Sequence, residues 1–186
     1  MSQFPSFAEF KTFTTSKQTK IFDILFEHTE SLIKFTLDKK DTDFDISRLN
    51  SFEELIELVR IKLLTLVTVD NQFKSELSNI IAAHPKLGVP KKIQGELSEL
   101  SKQEQKNLGD SKNYSPEIKE ALIKLNDEYE DKYKGLRFVC FVNGRDRVEI
   151  IKEMKSILSS ENTWHQEAER AINAMCDIAL DRVKKL

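Results

Sequence analysis

The sequence predicts an all-α protein, a single-domain helical bundle with one short extended segment crossing its core. Three observations carry that expectation. Apolar residues recur at three- and four-residue steps along several long stretches, the period of one helix face. Glycine is scarce, 5 in 186 residues. Only short runs look β-like, and the clearest, Leu136 to Val142, has no obvious partner strand.

Taken in order, the chain first shows an N-terminal stretch, residues 1–15, read as an extension of the same domain. It alternates Phe with polar residues and lacks the apolar core of a signal peptide. The helical domain proper is read as residues 16–186. Ser16 opens a long helix on which Ile21, Leu25, His28, Leu32 and Phe35 form a stripe, widened by Phe22, Phe26, Ile33 and Leu37. Asp41, Thr42, Asp43 and Asp45 then read as a loop. Ser51 and Glu54 have the spacing of a capping box and start a helix through about Val67. Phe52, Leu55, Ile56, Val59, Leu63 and Leu66 make its buried face. Asp70 is placed as the cap of the next helix, which carries Phe73, Leu77, Ile80 and Ile81 into His84.

Pro85 stops that helix, because proline cannot continue it and biases the preceding residue away from helical geometry. His84 is therefore expected at a helix end with its ring aimed outward. Gly88 to Leu97 reads as loop, and a short helix runs from Ser101 to near Gly109. Ser115 and Pro116 are a cap followed by proline in the first helical position. That helix carries Ile118, Leu122, Leu125, Tyr129 and Tyr133 and stops at Gly135, a residue suited to the left-handed helix terminus. After the extended run come a helix from Arg147 to about Leu158 and a last one capped by Thr163. The last helix turns Trp164, Ala168, Ala171, Met175, Ile178 and Val183 inward.

Composition narrows the function classes. With 39% hydrophobic and 32% charged residues and a net charge of −2, the chain is an ordinary globular domain. No basic excess points to nucleic acid or to an anionic membrane. No apolar run reaches the ~20 residues of a membrane-spanning helix. Cys140 and Cys176 lack CxxC spacing and sit in apolar patterns, so they read as small buried hydrophobes in a reducing compartment. The C-terminal Lys184-Lys185-Leu186 is similar to a Ser-Lys-Leu peroxisomal address but has lysine in place of the small residue. A cytoplasmic or peroxisomal location is the expectation. The three histidines show no metal-ligand spacing, and neither a phosphate-binding glycine loop nor a nucleophile elbow is present.

Four groups of residues can carry chemistry. His84 stands beside a loop, where an imidazole with an ordinary pKa of ~6.5 exchanges protons near neutrality. Ser101, Lys102, Gln103, Glu104 and Gln105 form a polar cluster; Ser101 and Glu104 also have capping-box spacing, and cap and site roles can coexist. Arg137 lies within an apolar run, where a charge is costly unless paired, so it points to solvent or meets an anion. Arg145 and Arg147 have the chemistry to hold a carboxylate and equally suit a solvated first turn. His28 on its apolar stripe reads as a core or boundary histidine, and His165 as a surface one.

Several motifs, in order, resemble the ureidoimidazoline decarboxylases of urate degradation (2-oxo-4-hydroxy-4-carboxy-5-ureidoimidazoline, or OHCU, decarboxylases). Phe26-Glu27-His28 is similar to the family's Phe-Glu-His motif, and His84-Pro85-Lys86-Leu87-Gly88 to its His-Pro-x-Leu signature. Ser101-x-x-Glu104-Gln105 matches Ser-x-x-Glu-Gln. Leu125-Asn126, Tyr129 and Gly135 to Val139 resemble its segment ending in Gly-Phe-x-Phe-Val. Gly144-Arg145-x-Arg147-x-Glu149-Ile150 and the closing helix continue the match. The resemblance implies an all-α homodimer without cofactor or metal that converts the ureidoimidazoline to (S)-allantoin with loss of CO₂. It implies His84 as the catalytic acid; the chemistry itself calls for a positioned imidazolium, and Glu104 close by would favour that charged form and orient the substrate. It implies a substrate pocket lined by Pro85, Ser101, Lys102, Gln103, Gln105, Leu136, Arg137, Phe138, Val139 and Cys140. The alternatives of other classes are a non-catalytic helical interaction module and a cofactor-free hydrolase of a related ureide.

Overall fold

A computed structural model describes residues 4–38, 43–69, 71–88 and 115–186. In chain order its helices are α1 (Phe7–Thr12), α2 (Thr15–Phe26), α3 (Glu30–Thr36), α4 (Phe52–Thr68), α5 (Lys74–Ala82), α6 (Pro116–Lys132), α7 (Arg147–Ser159) and α8 (Trp164–Lys185), with a 3-10 turn at Ile46–Arg48. There is no strand among the described residues, and none of their helices is long and apolar enough to cross a membrane.

The bundle is built around α8. Its start is fixed by a capping box: the Thr163 hydroxyl accepts from the Gln166 amide and the Gln166 side chain accepts from the Thr163 amide. Ala168, Ala171, Ile172, Met175, Cys176 and Ala179 form one fully buried stripe. The small residues in it let α4 pack close along α8, with Leu55, Ile56, Val59 and Leu63 facing them. Arg60 of α4 ties the pair at its edge, bonding the Asn173 carbonyl and side chain and the Asp177 carboxylate. α2 and α5 pack on other sides of α8. The N-terminal stretch joins the core: Ser6 caps α1, and Phe7 and Phe10 are buried against Phe52 and Phe22.

Most expected helices form where the periodicity places them; α2 begins at Thr15 behind Thr14 rather than at Ser16, and two expected caps differ. Ser51 caps α4 through the Glu54 amide, but the Glu54 carboxylate accepts from Asn50 rather than from Ser51. Asp70 lies outside the described residues, and α5 begins at Lys74 with Phe73 in the cap position. The larger correction is at the expected long first helix. α2 stops at Phe26, Glu27 takes a positive φ of 64°, and Thr29 caps a separate α3 through the Leu32 amide. His28 therefore leaves the apolar stripe. Its side chain is 54% exposed and bonds the Asp23 carboxylate, which raises its pKa.

α6 and α7 form the remaining layer. Ser115 caps α6 with Pro116 in the first position, as its sequence predicts. Lys132 at the end of α6 donates to the Ile157, Leu158 and Ser160 carbonyls and so closes the C-terminus of α7. Between them residues 136–142 run extended without a partner strand, with Leu136, Phe138 and Val139 buried. This is the segment expected to cross the core.

Candidate active site

His84 is delivered by α5. Buried Ile80 and Ile81 anchor the last turn, Ala83 caps it, and the His84 amide donates to the Ile81 carbonyl. The ring does not face outward as its position beside a loop predicts; His84 is only 2% exposed. The reason lies in the loop that follows. Leu87 is buried, and its carbonyl accepts from Asn126 of α6, which also bonds the Leu122 carbonyl. Lys86 pairs with Glu130 at 3.0 Å. The loop is thus drawn down onto α6, and His84 goes under with it.

Gly88 ends this loop at φ +77°, and a Cβ there would meet Leu122 Cδ1 at 2.7 Å. A side chain is disfavoured in that conformation, and the neighbour is buried in the core. Gly88→Ala is expected to cost about 1–3 kcal/mol of stability by strain and overpacking. Urea unfolding reads it; an unchanged midpoint would show that the loop yields.

Around His84 stand three charged groups from distant parts of the chain. Glu27, at the end of α2, is 4% exposed, and Arg182, in the last turns of α8, is 2% exposed. Their side chains pair at 3.1 Å. The same guanidinium donates to the Ile24 and Leu25 carbonyls at the C-terminus of α2, at 2.9 and 3.1 Å. Arg137, from the extended segment, bonds the backbone carbonyls of Ala82 and His84. Burial, with Arg182 and then Arg137 adding to it against the opposing pull of Glu27, brings the His84 pKa down to about 4. The ring is therefore neutral at pH 7, not the imidazolium expected of the proton donor. Its Nε2 is buried and has no hydrogen-bond partner among the described residues. A buried polar atom without such a partner is uncommon, and Nε2 keeps its capacity to bond a further group.

The extended segment is held from the other side by a buried polar network. Tyr129 donates to the Glu167 carboxylate at 2.7 Å, and Asn162 donates to its other oxygen. Arg170 bonds Glu167 and the Tyr129 hydroxyl, stacks over Phe138, and donates to the Val139 carbonyl at 2.9 Å. Burial raises the Tyr129 pKa, so its hydroxyl remains a donor. With every member of that ring paired, the backbone of residues 137–139 has a fixed path.

The expected site residues divide as follows. His84, Pro85, Leu136, Arg137, Phe138, Val139 and Cys140 are all described, and Arg137 links the two stretches directly. Ser101, Lys102, Gln103, Glu104 and Gln105 lie outside the described residues, as does the short helix from Ser101. Cys140 and Cys176 are free thiols. Cys140 accepts from Arg145, while burial pushes Cys176 up to about 12. Arg145 pairs with Glu153, and Arg147 is buried at the start of α7 rather than solvated. His165 packs edge-on against Trp164. Among the described residues no three His, Cys, Asp or Glu side chains converge as metal ligands do. Sequence reasoning missed Glu27 and Arg182 as site residues, although Arg182 stands in phase with the buried stripe of α8.

Comparison with known proteins adds to this geometry. A family model described as OHCU decarboxylase matches residues 11–184. No curated protein sequence matches. A solved structure, the crystal structure of (S)-allantoin synthase, superposes with a TM-score of 0.63 at 14% identity over 98% of this chain. That likeness is one of fold. The chain spans about half of that solved chain, 54% of its length.

Proposed function

The chain belongs to the OHCU decarboxylase family, and from that premise we propose that it is a cofactor-independent carboxy-lyase. Its substrate is 2-oxo-4-hydroxy-4-carboxy-5-ureidoimidazoline, and its products are (S)-allantoin and CO₂, a step of urate breakdown. One observation carries the assignment to this site: a buried neutral imidazole, its Nε2 unpartnered among the described residues, under the field of a buried guanidinium. In the reaction the bond to the carboxylate breaks and CO₂ leaves. The electron pair stays in the ring, and a proton is added to one face of a ring carbon. One proton is taken up per turnover; with the carbon protonated by the substrate's own hydroxyl proton, the one taken up ends on a ring nitrogen.

A neutral imidazole can take a proton from the substrate's hydroxyl and then give it to the carbanion-like carbon. His84 performs both steps in this reading. Arg182, held by Glu27 and by two helix carbonyls, offers its charge to the substrate carboxylate and to the negative charge that follows it into the ring. An anion arriving there offsets the two arginines, which raises the affinity of His84 for the proton it must carry. Glu104, supplied by the Ser-x-x-Glu-Gln motif, is assigned to orient the substrate, with Ser101 and Gln105 as partners for its amides. A homodimer goes with this reading and rests on the same resemblance.

The test is chiral. Ureidoimidazoline is generated from urate by the two upstream enzymes, the protein is added, and circular dichroism of the allantoin is followed. Uncatalysed decay leaves a racemate, so a fast signal of one sign is the expected result. No signal above the control, with the protein folded, would remove this assignment and favour an interaction module or another ureide. Consumption without CO₂ release would favour the hydrolase.

A further inference from the structure

Arg137 is expected from the sequence to contact substrate, but two of its guanidinium nitrogens, Nη1 and Nε, bind protein groups around the end of α5. Nη1 donates to the Ala82 carbonyl at 2.6 Å and to the His84 carbonyl at 2.7 Å. Nε donates to Glu130 at 3.2 Å. The other oxygen of Glu130 meets Lys86, two residues past His84, at 3.0 Å. Ala82 is the last residue of α5, whose terminal carbonyls have no partner within the helix. One cation therefore closes the end of α5 and holds the backbone of His84, while one carboxylate fixes both that cation and the loop beyond.

We propose that Arg137 and Glu130 are positioning residues, a charged clip that sets the place of the His84 imidazole from the backbone side and does not touch the substrate. The proposal deepens the decarboxylase reading and rests on His84 being the proton carrier. The clip explains why the extended segment runs where it does: Arg170 fixes its Val139 carbonyl on one side, and Arg137 reaches α5 on the other. The peptide of His84 is thereby tied to α6 through Glu130 and to α8 through Arg170 and the Val139 carbonyl. Side-chain hydrogen bonds to a charged donor are stronger than neutral ones, which suits a joint that must hold a ring still.

Arg137→Gln, Arg137→Lys and Glu130→Gln test it with two independent readouts. Displacing a reacting group by ~1 Å can cost about a hundredfold in rate, so kcat of Arg137→Gln is expected to fall about ten- to hundredfold. KM should stay within about twofold, because no ground-state contact to the substrate is lost. Lysine restores one donor and is expected to recover part of kcat; it also keeps the test alive where glutamine prevents folding. Amide hydrogen exchange of the wild type and variants, which needs no turnover, should quicken at His84 to Gly88 in both Arg137→Gln and Glu130→Gln while α8 stays protected. A raised KM with kcat intact would overturn the proposal by making Arg137 a substrate contact. Unchanged exchange over residues 84–88 would overturn it as well. Absence of one-handed allantoin from the wild type would sink the decarboxylase reading instead, and exchange would still decide whether the clip holds the loop.

Discussion

His84→Asn is expected to lower the rate of stereospecific allantoin formation by about 10²–10⁴-fold, the usual contribution of a positioned proton carrier. The helical circular dichroism of the variant should match the parent, because asparagine is smaller than histidine and keeps a polar group at this buried position. What allantoin forms should be racemic. A one-handed product at near-parental rate from this variant would take His84 out of the chemistry. The pH profile is the finer check. A ring held down to about 4 is already in its proton-accepting form at neutrality, so kcat/KM should be flat in this group's titration from pH 7 down to about 5 and fall as pH passes through about 4. An ordinary exposed imidazole would give that fall near its usual value of 6.5.

The same group makes a stability statement with a definite sign. Unfolded, His84 binds its proton near 6.5; folded, only near 4. Between those values the unfolded chain holds the extra proton, so acid draws the protein toward unfolding. His84's share of stability is fully present above about 6.5, is lost steadily as pH falls toward 4, and changes no further below that. His84→Asn should abolish this share of the acid sensitivity. The difference in unfolding free energy between parent and variant is therefore expected to shift in the variant's favour between pH 7 and pH 4.

How much of this was legible in the sequence depends on whether the cause was local. Helices α4, α6 and α8 could be read because stripe, cap and stop all lie within the element: Ser115 with Pro116 before α6, or Thr163 with Gln166 before α8. The position of His84 at a helix end was legible for the same reason. Its burial and neutral state were not, because the burial depends on Asn126 and Glu130 and the neutral state on that burial with Arg182 and Arg137, all of which approach from far along the chain. The break between α2 and α3 is hidden in the sequence by a stripe that runs through it in helical phase from Ile21 to Phe35. It is made by Glu27, a residue with positive φ whose carboxylate turns inward to an arginine 155 positions away. Backbone strain at a non-glycine residue held by a buried partner often accompanies a functional site. The readable sign was on α8, where Glu167 and Arg182 fall on the buried face with Ala168 and Ala179. A charge in phase with a buried stripe must be paired, and asking with what would have led to Tyr129 in one case and Glu27 in the other.

That pairing carries the largest expected stability effect. Arg182→Met removes the guanidinium and leaves the Glu27 carboxylate in a site where it is 4% exposed, with the Ile24 and Leu25 carbonyls short of a donor. Breaking one partner out of a buried ion pair costs about 3–5 kcal/mol, because the remaining carboxylate loses the cation that offset its burial. For a domain of this size that corresponds to about 6–20 °C in Tm, at about 2–4 °C per kcal/mol. The double variant Glu27→Gln, Arg182→Met should be less destabilised than the sum of its two single variants, since the second change removes the charge that the first one stranded. Thermal unfolding of the four proteins at pH 7 forms the cycle. Additive losses would mean that the two side chains act independently, and a change under about 1 kcal/mol in Arg182→Met would mean that the pair is not buried in solution. Activity adds a separate axis. Glu27→Gln keeps the shape of its side chain and leaves Arg182 in place, so it should retain a folded bundle while altering turnover through the weakened anchor and the changed field at His84. A Glu27→Gln protein with full stereospecific activity would show that Arg182 does not need the negative charge of Glu27 to stay aimed.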